Sequence, residues 1–287
     1  MSPAGLPAAP AGLRRYYEAS TRRFLAFGGS GRSLAIHRGL WAPGIDTAEA
    51  AADHINALIA ARLRARGVAT PGRVRDLGCG VGGSLLHLAR AWPEARLEGV
   101  TLSPTQAALG RSFAAERGLG PRLEITCGDF LDAPATPADL AIAIESHVHA
   151  PSAAAFLAAA RRHLRSGGHL VLVDDMLARP EATLAPAEAR RVATIRRGWH
   201  LGHLPEAEAL KRTARAAGLP CLHDEDLTHM LDLRRPRDRA LHLIAPLADA
   251  AGLGRWPLFS NMIGGDALTR AYLGGLMRYR LMIFAAA

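Results

Sequence analysis

Four glycines fall within six residues in the stretch VRDLGCGVGGSLLHLAR, residues 74–90, between an apolar run and an amphipathic one. A chain gives up side chains at one turn where its backbone must approach something closely, because a residue without Cβ leaves its N–H bare. Gly78, Gly80 and Gly82 follow a run that reads as a strand and open one that reads as a helix, the placement a nucleotide-type ligand needs. Two familiar patterns do not fit. A dinucleotide fingerprint would read Gly-x-Gly-x-x-Gly with an acid about 20 residues on. Here Asp76 begins Asp-x-Gly-x-Gly-x-Gly-Gly, and the next strand is expected to end at Thr101. A phosphate loop would need Gly-Lys-Ser/Thr, and Lys211 is the sole lysine of the chain.

Around that turn, residues 71–177 alternate short apolar runs with helical patterns. RVRDLG, RLEGVTLS, LEITCGDF, ADLAIAIES and HLVLVDDML read as strands; GSLLHLARAW, PTQAALGRSFAAERG and SAAAFLAAARRHLRSGG read as helices, the last with a glycine stop. Such alternation implies βαβ units and a mostly parallel sheet that takes ligands at the carboxyl ends of its strands. Asp76, Thr101, Asp129, Glu145, Asp174 and Asp175 fall at those ends. Downstream, EAEALKRTARAAGLP reads as a helix, CLHDEDLT as a strand and MRYRLMIFA as a closing strand, which makes seven. Residues 229–275 intervene before that strand, too long for a connection, and are expected to form a helical cap insertion. Residues 1–70 read as an N-terminal helical lid, with a further lid loop at 178–205. The expected architecture is α/β, with a core of residues 71–228 closed by residues 276–287.

Composition narrows the function classes. Forty-nine per cent of the 287 residues are apolar, enough for a substantial core, but no apolar run reaches the ~18 residues of a membrane span. The formal charge of +9 invites a nucleic-acid partner, yet the basicity is almost wholly arginine and the arginine pairs are scattered, as a solvated surface would have them. Some of those forks could instead clamp an anionic acceptor. Cys79, Cys127 and Cys221 are odd in number and widely spaced, and no signal sequence is evident, so a reducing cytoplasm is expected.

In order and spacing, VRDLGCGVGG, GVTLSPTQ, CGDF, AIESHVHAP and LRSGGHLVLVDD resemble the class I S-adenosylmethionine-dependent methyltransferases. The resemblance implies a Rossmann-like three-layer sandwich. It also implies cofactor contacts: Asp76, Gly78, Gly80 and Gly82 at the amino-acid part, Thr101, Leu102 and Gln106 at the ribose, Asp129 and Phe130 at the adenine. YYEAST and IHRGLW resemble a narrower group that methylates tocopherols, sterols, prenyl diphosphates and sugars, in which an N-terminal helix folds over the cofactor; this brings in Tyr17, with Tyr16, His37 and Trp41 as further lining. Val148 stands where several relatives have a carboxylate, which argues against cyclopropane formation.

A methyltransferase mainly aligns its nucleophile. His149, shortly after the fourth strand, is the candidate base, with Asp174 to orient its imidazole and Asp175 as rival; His147 is expected to point elsewhere. Glu145 is expected either to hold the cofactor's ammonium or to stabilise a carbocation beside the acceptor. Met262, Ile263, Leu268, Tyr272, Leu276 and Met277 have helical spacing and suit core or an apolar pocket. The resulting expectation is a cytoplasmic S-adenosylmethionine-dependent enzyme of secondary metabolism, with no metal. It would methylate oxygen or carbon of a small, hydrophobic metabolite, neutral or anionic, such as an isoprenoid or polyketide. A homodimer is compatible with it, and neither nucleic acid nor stable membrane insertion is expected. An RNA methyltransferase and a methylation-triggered isoprenoid cyclase are the alternatives.

Overall fold

The computed structural model describes residues 34–234 and 236–287; Tyr16 and Tyr17, and most of the expected N-terminal lid, lie outside them. Helix α1 (Ala48–Arg64) starts at Thr47, whose hydroxyl accepts from the Ala50 N–H at 3.1 Å. The core then alternates β1 (Arg73–Leu77), α2 (Gly83–Ala91), β2 (Arg96–Thr101), α3 (Pro104–Glu116), β3 (Leu123–Cys127), β4 (Ala138–Ile144), α4 (Ala153–Arg162) and β5 (Leu164–Leu177). It continues with α5 (Pro186–Trp199), α6 (Ala207–Ala216), β6 (Cys221–Asp226), α7 (Pro236–Ala250), α8 (Pro257–Leu273) and β7 (Met277–Ala285).

The seven strands form one sheet in the order β3-β2-β1-β4-β5-β7-β6, parallel except for β7, which runs against both β5 and β6. Strand order reverses between β1 and β4, which opens a crevice at their carboxyl ends. Alternate residues feed the two faces. Val74, Leu97, Ile125, Leu140 and Val171 pack into the core cluster on one side, and Leu77, Val100, Ala141, Leu170 and Leu172 meet Phe156 and Leu157 of α4 on the other.

One local expectation is corrected. Residues 164–168, read as a helix tail with a glycine stop, open β5 instead: Leu164 pairs with Ala138, and the Gly167 N–H donates to the Ala286 carbonyl at 2.9 Å. Sheet pairing outweighs the helical periodicity there. Gly168 is needed because a Cβ would lie 2.9 Å from the Ala138 carbonyl oxygen. The long stretch between β6 and β7 supplies α7 and α8, and α8 packs against α5 with backbones touching. A Cβ on Gly198 of α5 would lie 2.5 Å from the Gly264 Cα of α8.

Candidate active site

A cavity of about 490 Å³ opens over the β1–β4 crevice. Its floor begins at the glycine turn. Gly78 has φ +113°, and a Cβ there would meet the Ser146 Cβ at 2.5 Å, so backbone and β4 loop close against each other. The Ser146 hydroxyl ties the two tips by donating to the Leu77 carbonyl at 2.6 Å. Asp76, Gly78, Gly80, Thr101, Leu102, Gln106 and Phe130 all line this cavity. Asp76 is buried, and burial alone pushes its carboxyl up to about 8. The Thr101 hydroxyl donates to Gln106 Oε1 at 2.6 Å, and Gln106 Nε2 is buried without a partner, two polar groups set for a hydroxyl-bearing ligand.

Gly82 and Asp129 are not brought to the cavity. Gly82 starts α2 in the left-handed region and packs against Ile125, where a Cβ would lie 2.6 Å from Cδ1. The Asp129 carboxylate closes the turn after β3 by accepting from the Leu131 N–H at 2.9 Å, and it borders a second hollow lined by Arg73, Arg96 and Glu98.

Glu145, His149, Asp174 and Asp175, at and after the ends of β4 and β5, form the reaction wall of the same cavity. The expected His149–Asp174 pairing is corrected: Asp174 Oδ2 accepts from His147 Nδ1 at 2.7 Å. The three-residue helical turn at His147–His149 directs the two rings apart. His147 is wholly buried, edge-on to Phe156 and His203, and burial drives its pKa down to about 3, so the ring is neutral. His149 instead faces the cavity, with Nδ1 3.3 Å from the His200 carbonyl oxygen, and burial holds it below the usual imidazole pKa although Asp174 pulls it upward. Burial also pushes Asp174 to about 7, with Glu145 adding to the rise, while the Asp175 N–H donated to it at 2.8 Å acts in the other direction.

Glu145 is held in a left-handed conformation at φ +50°, costly for a residue with a Cβ and typical of functional sites. Its Oε1 accepts from the Arg38 N–H at 2.9 Å and the Tyr279 hydroxyl at 2.8 Å. Arg38 is the residue that sequence reasoning missed, although it sits inside IHRGLW. Its guanidinium grips Asp175 with two bonds of 3.0 Å and lies 5.8 and 5.4 Å from the Tyr272 and Tyr279 ring centres. The Tyr272 hydroxyl also donates to Asp175. This one cluster links the N-terminal segment, β4, β5, α8 and β7.

His37 lines the cavity, with Nδ1 3.1 Å from the Arg38 carbonyl oxygen and Nε2 buried without a partner. Trp41 is not among the lining residues; its backbone N–H donates to Met230. Of the apolar set, Met262, Leu268 and Tyr272 reach the cavity, Ile263 packs against Ala245 and Ala248, and Leu276 and Met277 are core. His242 and Asp266, on α7 and α8, also line it and had no signal in the sequence beyond helical spacing. Among the described residues no group of side chains has the makings of a metal site.

Comparison with known proteins adds to this geometry. Residues 74–168 match a family model described as a methyltransferase domain. The chain is 34% identical over 136 residues to a probable tocopherol O-methyltransferase of Oryza sativa subsp. japonica, a match covering 46% of this chain and 37% of that protein. It thus spans less than half the length of that relative. A geranyl diphosphate methyltransferase solved with geranyl diphosphate and sinefungin superposes with TM-score 0.75 at 21% identity, over 98% of this chain and all of that one. The [4+2]-cyclase SpnF superposes with TM-score 0.71 at 25% identity, over 99% of each chain.

Proposed function

We propose that this chain, built around a methyltransferase domain of the class I, S-adenosylmethionine-dependent type, transfers a methyl group to oxygen or carbon of a small, largely apolar metabolite. One observation carries this: Asp76, the glycine turn, Thr101 and Gln106 line the same cavity as His149 and Glu145, at the crevice where the strand order reverses. The unmatched carboxyl of Asp76 fits the ammonium of the cofactor. Thr101 and Gln106 fit the ribose hydroxyls, Phe130 the adenine, and Gly78 and Gly80 leave room for the amino-acid part. S-adenosylmethionine supplies an electrophilic methyl group there.

The chain's own work is alignment and proton transfer. Holding the acceptor in attack geometry is worth roughly 7–11 kcal/mol. His149, kept neutral by burial and oriented at Nδ1 by the His200 carbonyl, is the group that takes a proton from a hydroxyl acceptor. Glu145 is a fixed negative charge on the same wall, suited to a cationic centre if carbon is the acceptor. We further infer a division into a lid at residues 1–70, aided by 178–205, and a cap at 229–275, over a core of 71–228 closed by 276–287. We place the protein in the cytoplasm and in secondary metabolism.

The test is transfer of a labelled methyl from S-adenosylmethionine to isoprenoid alcohols, prenyl diphosphates, phenolic and sugar-bearing metabolites and bulk RNA, read by mass spectrometry. Label on one small-molecule class is expected, and a changed carbon skeleton in the product would reveal coupled cyclisation. Label on RNA alone would overturn the reading.

A second measurement needs no acceptor. With its pKa near 8, Asp76 is mostly protonated at pH 7 in the free protein and must ionise to hold an ammonium. Binding of S-adenosylhomocysteine at pH 7 should therefore release about one proton, seen as a calorimetric enthalpy that varies with the buffer's ionisation heat. Asp76→Asn should release none. Buffer-independent enthalpy in the unaltered protein, together with unchanged affinity in Asp76→Asn, would remove Asp76 from the ammonium site.

A further inference from the structure

The cavity continues past the reaction wall into a polar end built by the helices between β6 and β7. His242 Nδ1 is bonded to Asp266 Oδ1, while Asp266 Oδ2 accepts from Arg270 Nε at 2.8 Å and Arg270 Nη2 returns to the His242 carbonyl at 2.9 Å. With Nδ1 turned to the carboxylate, Nε2 is the ring nitrogen left to a ligand. Asn261 lines the same cavity, and its Oδ1 is buried without a partner. Trp199 lies across Gly264 and Gly265 of α8, one turn on from Asn261, with its Nε1 also buried and unpartnered. Asn261 Oδ1 and Trp199 Nε1 are thus an acceptor and a donor left unpaired on residues that, with His242, line one cavity.

We propose that this end of the cavity recognises a neutral hydroxyl carried by the acceptor at a distance from the atom that is methylated. The inference rests on the methyltransferase reading and narrows its substrate class. A hydroxyl both donates and accepts, as Asn261 Oδ1 and Trp199 Nε1 require, and it meets His242 Nε2 beside them in either role. A diphosphate only accepts, so it would leave Asn261 Oδ1 facing oxygen. The surrounding charges agree. Among the described lining residues Arg38 is the one Lys or Arg, and its fork is closed on Asp175. At this end of the cavity an ammonium is no better served, since the Asp266 carboxylate already holds both His242 and Arg270. Spacing sets the size of the ligand. Asp266 lies six residues before Tyr272, which touches Asp175 at the reaction wall; at 1.5 Å per residue the two ends are roughly 9 Å apart along α8.

The experiment is calorimetric titration with three probes that share one ten-carbon tail: geraniol, ω-hydroxygeraniol with a second hydroxyl at the far end, and geranyl diphosphate. Each is run with and without saturating S-adenosylhomocysteine. ω-Hydroxygeraniol should bind about tenfold more tightly than geraniol, the worth of a hydrogen bond to an otherwise unpaired buried group. It should also bind more tightly than the diphosphate. That advantage should vanish in His242→Phe and in Asn261→Ala while S-adenosylhomocysteine affinity stays unchanged, which shows that the variants fold. Equal binding of the two alcohols, tighter binding of geranyl diphosphate, an advantage that survives both variants, or no binding of either alcohol would each overturn the proposal. Failure of S-adenosylhomocysteine to bind would instead overturn the methyltransferase reading, because the alcohols are also titrated alone.

Discussion

His149→Ala should lower methyl transfer to a hydroxyl acceptor by at least about 10²-fold while leaving cofactor affinity unchanged, the range expected when a positioned base is removed. The ring faces the cavity and is anchored at Nδ1 by a main-chain carbonyl, so truncation leaves the fold around it intact. The pH profile gives a second readout. A base must be neutral to act, and burial lowers the His149 pKa, so kcat/KM should rise with pH and level off below the ordinary imidazole value of 6.5. That limb should disappear in the variant. A loss under tenfold, or an unchanged acid limb, would make His149 a bystander and direct attention to carbon as the acceptor atom.

Arg38→Ala is the second large effect, on stability first. It strips the bidentate partner from Asp175 and the main counter-charge near Glu145. Breaking a buried pair costs about 3–5 kcal/mol; the lower end applies here because the Arg38 side chain is 28% exposed. The sign with pH follows from Asp175. Burial raises its folded pKa to about 6 even with Arg38 pulling it down, above the ordinary carboxyl value of 3.8, so its contribution to stability is fully present below that value and fades as pH rises through 6. Arg38 opposes that fading. The deficit of the variant should therefore be largest at pH 8 and shrink toward pH 5, where the carboxyl is neutral with or without its partner. Urea unfolding at the two pH values checks this, and equal deficits would show that Arg38 stabilises by packing on Tyr272 and Tyr279 rather than by charge. Adding Asp175→Asn to the variant should recover part of the loss.

The parts of the molecule that could be read from sequence are those with a short period. Six of the seven strands carry an apolar or alternating run, with β6, CLHDED, the polar exception, and the glycine turn marks the cavity floor because Gly78 and Gly80 take positive φ and a Cβ on Gly78 would meet Ser146. The tail of α4 was misread because RSGG carries a helix-stop signal in isolation, whereas the pairing of Leu164 with Ala138 is visible only once the sheet exists. Long-range polar contacts were out of reach for the same reason. Arg38 and Asp175 are 137 residues apart, and Asp266 meets His242 across 24 residues and two helices. The choice between His147 and His149 as partner of Asp174 turned on the geometry of one three-residue turn, which reverses the two rings and has no periodic signature.

The meeting of Gly198 and Gly264 bears on the cavity's border. With no side chain between them, α5 and α8 are in backbone contact, and any pair of larger residues would wedge them apart. A seam of that kind leaves α5 and α8 no side chains to shear over, so the cavity residues they carry, Trp199 on one and Met262, Gly265 and Leu268 on the other, border the space as one unit.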